Sequence, residues 1–276
     1  MSFALAPAPA LSALMIGGAA GLHAATWGMY KDCLYEGFAW GKYFRSVWLA
    51  MLLALGIQLL RPLPFTPAGL LLLFALTYVL ERAVTEWVKG FVRREDQAKY
   101  FIPMRFAVFG RPVRGEAGRL VVGLAYAGGL AGAVAVIASM QPLYVERGWV
   151  FGLLVAWCAG GISALGGAWK DAPLEGFDLF KFFRSPAIAG AWGGVLALLS
   201  DDLVAVAFGG LGLSIATIET WKKFRARDEA PGKFSGKPIR FPELRVWRDR
   251  VVPVYAGLWS LLILLLLVAL TTPRIA

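Results

Sequence analysis

The sequence predicts an all-α polytopic membrane protein with about eight transmembrane helices, arranged as two four-helix repeats of the same orientation. Hydrophobic residues make up 58% of the chain, and the mean hydropathy is +0.63, which is typical of proteins that fold in a bilayer. Several apolar runs approach the roughly 20 residues that a helix needs to cross the hydrocarbon core. A charged motif that occurs twice in this apolar chain indicates the repeat.

Eight apolar segments account for the spans, at 11–30, 47–65, 66–87, 118–140, 148–169, 186–200, 202–221 and 251–271. Each is expected to be helical, because no alternating strand pattern occurs and a single strand cannot satisfy its backbone polar groups in lipid. The sixth segment is short, so it either thins the bilayer locally or begins inside the preceding aromatic stretch. The first segment is interpreted as a retained span, since no Lys or Arg precedes Lys31 to form the charged region of a secretory signal.

The duplicated motif has the pattern K-D-x3-E-G-F-x3-K-x-F-R-S and covers residues 31–46 and 170–185. Segments 86–91 and 219–224 also share a pattern, E-x2-K-x-F. These matches divide the chain into two four-helix repeats, residues 1–140 and 141–276. An even number of spans separates the copies, so the two halves should have the same orientation, with a pseudo-two-fold axis along the membrane normal.

The distribution of positive charge predicts the orientation of the protein. If the motif loops and the 82–119 and 222–250 connections lie on one side, 25 of the 28 Lys and Arg residues gather there. Only Arg61, Arg147 and Arg274 remain on the opposite side. Because the Lys- and Arg-rich side is normally cytoplasmic, we expect an integral protein of the bacterial inner (plasma) membrane with both termini outside.

The composition argues against several other classes of protein. The formal charge of +10 could suit nucleic acid, but the charges collect at the ends of spans, where anionic lipid headgroups are the expected partners. Cys33 and Cys158 have no CxxC spacing and His23 is the one histidine, which leaves too few soft ligands for a zinc, haem or iron–sulfur site. No nucleotide-binding motif is present, and the sequence does not identify the protein partners. Thiol catalysis and a Ser-His-Asp triad are disfavoured.

The acidic residues of the motif are candidate metal ligands. Asp32 and Glu36 stand one turn apart if the first helix continues through Glu36, and Asp171 and Glu175 repeat them. Two bends across a pseudo-two-fold axis would bring four carboxylates together, a set of hard oxygen ligands that suits Mg²⁺ or Mn²⁺. In a second interpretation the same acids pair with Lys and Arg and brace the two halves.

The cations of the motif are candidate phosphate ligands. Lys42 and Arg45 follow the acids at i and i+3, and Lys181 and Arg184 repeat this spacing. A cationic pair close to a helix N-terminus suits a phosphate, so these four residues are predicted to bind substrate. The competing interpretation is an interfacial anchor, in which Lys, Arg and aromatic residues lie among headgroups. No catalytic residue is predicted. The possible second shell consists of charged neighbours, Lys31, Lys170, Glu86, Lys89, Glu219 and Lys222.

Other local signals predict how the chain turns at the motifs. Gly37 should end the first helix in a left-handed conformation. In the second copy Pro173 suggests that the helix breaks after Asp171. Ser46, and the pair Ser185-Pro186, are expected to be the N-cap and first turn of the next span.

Residues inside the spans are interpreted mainly as packing residues. Small residues let helices approach closely in lipid, so packing is favoured over a substrate channel for the glycines at 17, 18, 21, 128, 129, 132, 160, 161, 166, 167, 209, 210 and 212. His23 is expected to be a hydrogen-bonded packing residue, and Glu81-Arg82 a structural ion pair. Glu86 and Glu219 each precede a Lys by three residues, the spacing of a helix-surface pair.

Repeated acidic motifs at helix ends, flanked by cations, resemble in their general chemistry the intramembrane isoprenoid-transferring enzymes, whose Asp-rich motifs hold a diphosphate through Mg²⁺. The chain lacks the Asn-Asp-x2-Asp motif of that family. We predict a cytoplasmic-facing site between the K-D-x3-E-G-F motifs that binds a phosphate-bearing amphiphile, such as a lipid or polyprenyl phosphate, in an enzyme or carrier. Two alternatives stay open: a transporter whose halves rock around a central site, and a non-catalytic subunit or scaffold braced by the repeated charges.

Overall fold

The computed structural model of the chain describes residues 7–225 and 229–275. The protein is nearly all-α, with 77% of its residues in helices. In the described part of the chain, seven helices are long and apolar enough to cross a membrane. The prediction of a polytopic helical membrane protein is therefore confirmed at this level.

The first four long helices and a short fifth occupy the first 147 residues. They are α1 (Pro7–Glu36), α2 (Trp40–Leu60), α3 (Pro67–Trp87), α4 (Glu116–Ser139) and α5 (Gln141–Arg147). A π-helical turn, Val88–Val92, extends α3. Two short strands, β1 (Ala107–Val108) and β2 (Arg111–Pro112), pair antiparallel in the connection to α4.

The remaining helices follow in a similar order. They are α6 (Trp149–Glu175), α7 (Leu179–Ala197), α8 (Leu203–Thr220), α9 (Leu244–Asp249) and α10 (Val252–Ala269). A π-helical turn, Trp221–Arg225, extends α8, and a 3₁₀ turn, Gly232–Phe234, lies in the connection to α9. This connection and the one between α3 and α4 lie at the end of the bundle that carries the duplicated motifs.

The sixth predicted segment, 186–200, differs from the helix that contains it. Helix α7 begins at Leu179, inside the aromatic stretch, where the side chain of Asp178 caps it by accepting a hydrogen bond from the Lys181 N–H at 3.0 Å. The early start brings Lys181 and Arg184 into the helix and lowers its hydropathy. For this reason α7 is not among the seven span candidates of the described chain.

The predicted helix starts at Ser46 and Ser185 are wrong. Ser46 is buried inside α2, which begins six residues earlier at Trp40. Ser185 and Pro186 likewise lie inside α7. The aromatic residues before each serine are compatible with a helix, so the helices start directly after the motif bends.

The predicted break at Pro173 is also wrong. Helix α6 continues through Pro173 to Glu175, and the Gly176 N–H donates to the Ala172 carbonyl at 2.9 Å. A proline two residues before a helix end removes only one backbone donor, and the carbonyl that it leaves without a partner lies near the end of the membrane-spanning segment. The second motif therefore ends its helix at the same place as the first.

Helices α3 and α8 form the centre of the bundle, and α4 and α10 lie at its edge. The most apolar windows of α3 and α8 are 72% and 61% buried in the protein, against 11% for both α4 and α10. At the contact of the two central helices a Cβ on Gly212 would lie 2.2 Å from the Ala75 carbonyl oxygen, so only glycine fits. The Leu-rich surface of α10 is left for lipid.

The packing interpretation of the glycines holds for some spans and not for others. Gly17 and Gly21 of α1 pack directly on α2, and Gly212 packs on α3. A Cβ on Gly128 or Gly129 of α4 would have no neighbouring atom of the described residues within 4 Å. Close helix packing therefore explains Gly17 and Gly21 of α1 and Gly212 of α8, but not the glycines of α4.

The two long connections cross over to the opposite motif. The backbone N–H groups of Arg240 and Phe241 donate to the Leu34 carbonyl at 2.9 and 3.0 Å. In the other direction, Trp169 Nε1 donates to the Ala107 carbonyl at 3.1 Å. The connections also meet each other, since the Phe101 N–H donates to the Lys233 carbonyl at 2.8 Å. Charged residues from both parts of the chain are thereby gathered at one end of the bundle.

Candidate functional site

The first motif bend has the predicted geometry. Helix α1 remains helical through Glu36, which places Asp32 and Glu36 one turn apart. Gly37 ends the helix with φ of +73°, and its N–H donates to the Cys33 carbonyl at 3.0 Å. A side chain at position 37 would be strained by this conformation. The bend therefore places both carboxylates at the end of the α1–α2 pair where the two helices are joined.

Both carboxylate oxygens of Asp32 contact lysines from the second part of the chain. Oδ1 lies 3.2 Å from Lys223 Nζ, and Oδ2 lies 2.7 Å from Lys233 Nζ. The three side chains are only 21%, 9% and 20% exposed, so these ion pairs are partly shielded from solvent. Asp32 thus connects α1 to the end of α8 and to the 3₁₀ turn beyond it.

Glu36 shares Lys233 with Asp32 and has two further partners. Tyr100 donates its hydroxyl to Glu36 Oε1 at 3.0 Å, Lys233 Nζ lies 3.5 Å from the same oxygen, and Lys42 Nζ lies 4.0 Å from Oε2. Burial alone would lower the pKa of Lys233, but the Asp32 and Glu36 carboxylates outweigh it and raise that pKa above its usual value. Burial and the Glu36 carboxylate raise the pKa of Tyr100. Lys233 is therefore a fixed cation and Tyr100 a neutral donor.

A cavity of about 140 Å³ opens beside this bend. Its charged lining comprises six cations and two carboxylates, Lys42, Arg45, Arg82, Lys89, Arg93, Lys233, Asp32 and Glu36. Its apolar lining comes mainly from α1 and the bend, through Ala24, Ala25, Gly28, Met29 and Phe38. The cavity is therefore amphipathic, and its charged lining carries an excess of positive charge.

Four of the six cations are neutralised by carboxylates. Arg82 lies 2.6 Å from Glu86 and 3.4 Å from Glu81, and Lys89 lies 2.9 Å from Glu86. These contacts confirm the predicted Glu81–Arg82 and Glu86–Lys89 pairs. Arg93 contacts Glu95 in the same way, at 3.0 Å, and the pairs of Lys233 are described above.

Lys42 and Arg45 are the two lining cations that keep capacity for another anion. Lys42 is 54% exposed and reaches Glu36 only at the 4.0 Å limit of an ion pair. Arg45 has no ion pair within residues 7–225 and 229–275, and its side chain is exposed. The structure thus places both predicted phosphate ligands of the first copy in one cavity with the two predicted metal ligands.

Trp27 forms part of the cavity wall and is held by a buried hydrogen-bonded chain. Its indole lies 4.9 Å from the Arg82 guanidinium carbon and 5.7 Å from Lys223 Nζ, distances at which a cation is attracted to an aromatic face. Trp27 Nε1 donates to the Tyr78 hydroxyl at 2.6 Å, and His23 Nδ1 lies 3.0 Å from the same oxygen. His23 is fully buried, which confirms its prediction as a hydrogen-bonded packing residue.

The second motif copy is arranged differently. Lys181 Nζ lies 3.1 Å from Glu175 Oε2, and Lys170 points toward the Met104 sulfur at 3.8 Å. Asp171 has no ion pair among the described residues. The Nε of Arg184 is buried, and no hydrogen-bond acceptor in the described chain reaches it. These residues do not line the cavity of the first copy.

The two motif bends nevertheless lie on either side of the same turn. Lys233 contacts the acids of the first bend, while a Cβ on the adjacent Gly232 would lie 2.7 Å from Glu175 Oε1 of the second. Of the predicted second shell, Lys31 donates to the Glu229 carbonyl at 2.8 Å, and Lys222 pairs with Glu219 at 3.1 Å. The bends therefore approach each other with the 3₁₀ turn between them.

The predicted metal site remains a prediction. In the described parts of the chain no three His, Cys, Asp or Glu side chains form a group that could hold a metal ion. Both oxygens of Asp32 contact ammonium groups, so a divalent cation would have to displace Lys233 or bind beside it.

Sequence reasoning missed several residues of this site. Lys233, Tyr100, Arg93 and Trp27 all line the cavity, but none belongs to the motif. A signal for Lys233 was present, because the repeat pairs it with Lys99 in the other connection. Comparisons of the chain with protein-family models, curated proteins and solved structures found no match.

Proposed function

We propose that the cavity binds the headgroup of a phosphate-bearing amphiphile, such as a lipid or polyprenyl phosphate, with Lys42 and Arg45 meeting the phosphate oxygens. The observation that carries this proposal is that these two cations line an amphipathic cavity without a close carboxylate of their own. Charge-assisted hydrogen bonds from Lys and Arg are the usual means of holding a phosphate. The apolar wall of the cavity suits the part of the amphiphile's hydrocarbon chain that adjoins the phosphate.

A difference between the two motif copies supports an external anion at the first. Helix α7 is capped by Asp178, whose carboxylate accepts from the first turn. The matching position before α2 is Ala39, which is extended and offers no side-chain cap. A helix N-terminus favours negative charge. The second copy therefore supplies its own anion at the place where the first copy, beside Lys42 and Arg45, has room for a phosphate.

The substitution Ala39→Asp tests this idea, because it gives the first copy the anion of the second. We expect the added cap to raise unfolding free energy by about 1 kcal/mol while the affinity for phosphatidic acid in nanodiscs falls at least tenfold. Ala39→Asn is the matched control, since it caps the helix without a charge and should weaken binding less. Unchanged affinity in a stabilised Ala39→Asp protein would contradict the proposal.

We also propose the finer architecture, in which residues 1–140 and 141–276 are four-helix repeats with the same orientation. Its support is the shared order of a long helix ending at a positive-φ glycine (Gly37 and Gly176), a short bend, and a central helix extended by a π-helical turn. Superposition of α1–α4 on α6, α7, α8 and α10 without inversion is the expected result. A fit that requires inversion through the membrane plane would reject it.

The same architecture predicts the sidedness of the protein. The motif end carries most of the positive charge, whereas Arg61 and Arg274 at the other end are paired with Asp202 and Asp201. We therefore propose that the motif end is cytoplasmic and both termini are outside. A cysteine at position 116 or 235 should resist an impermeant thiol reagent added to intact cells. Labelling from outside would reverse the assignment.

A scaffold is the second candidate function, and one observation favours it. Asp32 joins α1 to Lys223 and Lys233, which lie in the second part of the chain. Ion pairs between distant segments could serve only to fix the relative position of the two parts. In that case phosphate lipids would bind no better than other anionic lipids, and the charges would matter for stability alone.

A further inference from the structure

We infer that the apolar chain of the bound amphiphile leaves the cavity through a crevice between α1 and α2 and lies against Gly28. The inference rests on the proposed function, since it needs a headgroup at Lys42 and Arg45. It adds the source of the ligand, which would be a membrane-resident lipid that enters the site laterally from the bilayer. A water-soluble phosphate ester has no long apolar chain and would lack the contact with the crevice.

Helices α1 and α2 are in close contact at one end of the crevice. A Cβ on Gly17 would lie 2.7 Å from the Ala50 carbonyl oxygen, and one on Gly21 would lie 2.5 Å from Val47 Cα. Gly28 follows Gly21 by seven residues, or about two turns, so it belongs to the same face of α1. No atom of the described residues lies within 4 Å of a Cβ placed there. Helix α2 still contacts α1 through the Tyr43 hydroxyl, which lies 2.8 Å from Thr26 Oγ1, whereas the space beside Gly28 is open.

The space between the helices has an apolar floor that leads to the cations. Ala24 and Ala25 lie between Gly21 and Gly28, are buried, and line the cavity. Ser46 and Tyr43 of α2 line the opposite side. Lys42 and Arg45 line the same cavity, so one amphiphile could contact the small residues with its chain and the cations with its phosphate.

The size of the cavity requires such an exit. Its volume of about 140 Å³ is well below the roughly 300–1,000 Å³ of pockets that enclose most of a drug-sized ligand. It can surround a headgroup and the first atoms of a chain. The rest of an acyl or prenyl chain must lie outside, and the crevice beside Gly28 opens from the apolar part of the lining.

Gly28 has no role in packing or in backbone conformation that would explain it. It lies in the interior of α1 with ordinary helical φ, where glycine is less favourable than alanine. The matching residue of the second copy is Gly167, and in the described chain no atom lies within 4 Å of its Cβ position either. An open glycine thus recurs with the motif. Close passage of a ligand chain over the helix backbone accounts for it.

The test compares Gly28→Leu with Gly41→Leu. Gly41 lies in α2, has no described atom within 4 Å of its Cβ position, and is not part of the cavity lining, so it is a matched control. Each protein is titrated with dioleoyl phosphatidic acid in nanodiscs and with water-soluble glycerol 3-phosphate. We expect Gly28→Leu to weaken binding of the long-chain lipid at least tenfold and to leave the weak binding of glycerol 3-phosphate unchanged. Gly41→Leu should change neither.

Each other outcome has a defined meaning. If Gly28→Leu binds the long-chain lipid as the wild type does, the crevice is wrong and the headgroup site stands. Equal weakening of both probes would also reject the inference, since the leucine would then act on the headgroup. If the wild type binds neither probe, the proposed function fails. Gly28→Ala, which adds one methyl group in open space, provides a folded variant in case leucine prevents expression; it should show a smaller loss with the same selectivity.

Discussion

Replacing Asp32 with asparagine is expected to lower the free energy of unfolding by about 3 kcal/mol, the lower end of the range for removing one partner of a buried ion pair. Asp32 holds Lys223 at 3.2 Å and Lys233 at 2.7 Å, and Lys223 is only 9% exposed. The amide of asparagine cannot neutralise either ammonium group. Two lysines would then remain close together in a partly shielded site, and their repulsion adds to the loss.

The matched control for this prediction is Asp171→Asn in the second copy. Asp171 has no ion pair in the described part of the chain, so its replacement should change stability by less than about 1 kcal/mol. Thermal unfolding in detergent measures both variants, and a loss of about 3 kcal/mol corresponds to about 6–12 °C for a chain of this size. Equal, small shifts in the two variants would contradict the role of Asp32 as a brace.

The same experiment tests the predicted metal. If Mg²⁺ or Mn²⁺ binds at Asp32 and Glu36, either ion should raise the unfolding temperature of the wild type, and a chelator should reverse the increase. Asp32→Asn would then abolish the effect of the ion. A wild-type protein whose unfolding temperature responds to neither ions nor chelator, together with a strongly destabilised Asp32→Asn variant, would falsify the metal site and leave the brace.

The second large effect is expected on binding. The double substitution Lys42→Gln with Arg45→Gln should weaken the binding of phosphatidic acid about 100-fold. Hydrogen bonds to charged groups contribute about 1.5–3 kcal/mol each, and the lower value applies here because both side chains are exposed. Two such contacts give about 3 kcal/mol, and each 1.4 kcal/mol is a factor of ten in affinity.

The control for the binding prediction comes from the second copy. Lys181→Gln with Arg184→Gln removes the same charges from the same spacing, but Lys181 is already paired with Glu175 at 3.1 Å and Asp178 caps the helix beside it. This variant should retain affinity within about threefold, which is less than about 0.7 kcal/mol. Fluorescence titration in nanodiscs at fixed ionic strength measures both variants. Similar losses in both would mean that the lipid responds to total charge and not to the cavity.

Features that depend on neighbouring residues could be predicted from the sequence. Apolar runs of roughly 20 residues indicated the long helices, and Gly37 marked the end of α1 because a positive φ favours glycine. The i,i+3 spacing of Glu86 and Lys89 corresponds to a real ion pair at 2.9 Å. The duplicated charges also identified a place in the fold where a cavity is lined by Asp32 and Arg45.

Features set by long-range packing could not be predicted in the same way. Ser46 and Pro173 carry strong local signals for a helix start and a helix break, yet both lie inside helices. In both cases the packing of the whole helix against its neighbours decides where the helix runs. This packing outweighs a local preference of about 1 kcal/mol at Ser46 and the loss of a single hydrogen bond at Pro173. Lys233 reaches Asp32 from about 200 positions along the chain, a pairing that no local pattern encodes.

The difference between the two motif copies also depends on context that the motif does not contain. Both copies keep Lys, Asp, Glu, Gly and Arg at the same spacing. Ala39 in one copy and Asp178 in the other change the charge at the start of the next helix. A symmetric site was therefore the natural prediction from the motif, whereas the structure places a cavity beside the first copy.

Photo-crosslinking tests the central claim, that the cavity beside Lys42 and Arg45 is a phosphate-lipid site, most directly. A phosphatidic acid with a photoreactive group at the start of one acyl chain is incorporated into nanodiscs with the protein and irradiated. The protein is then digested, and the labelled residues are identified by mass spectrometry. We predict that labelling concentrates in residues 24–46 and is reduced by excess unlabelled phosphatidic acid but not by phosphatidylcholine. Labelling spread over α4 and α10, the helices least buried in the protein, without competition by phosphatidic acid, would contradict the claim.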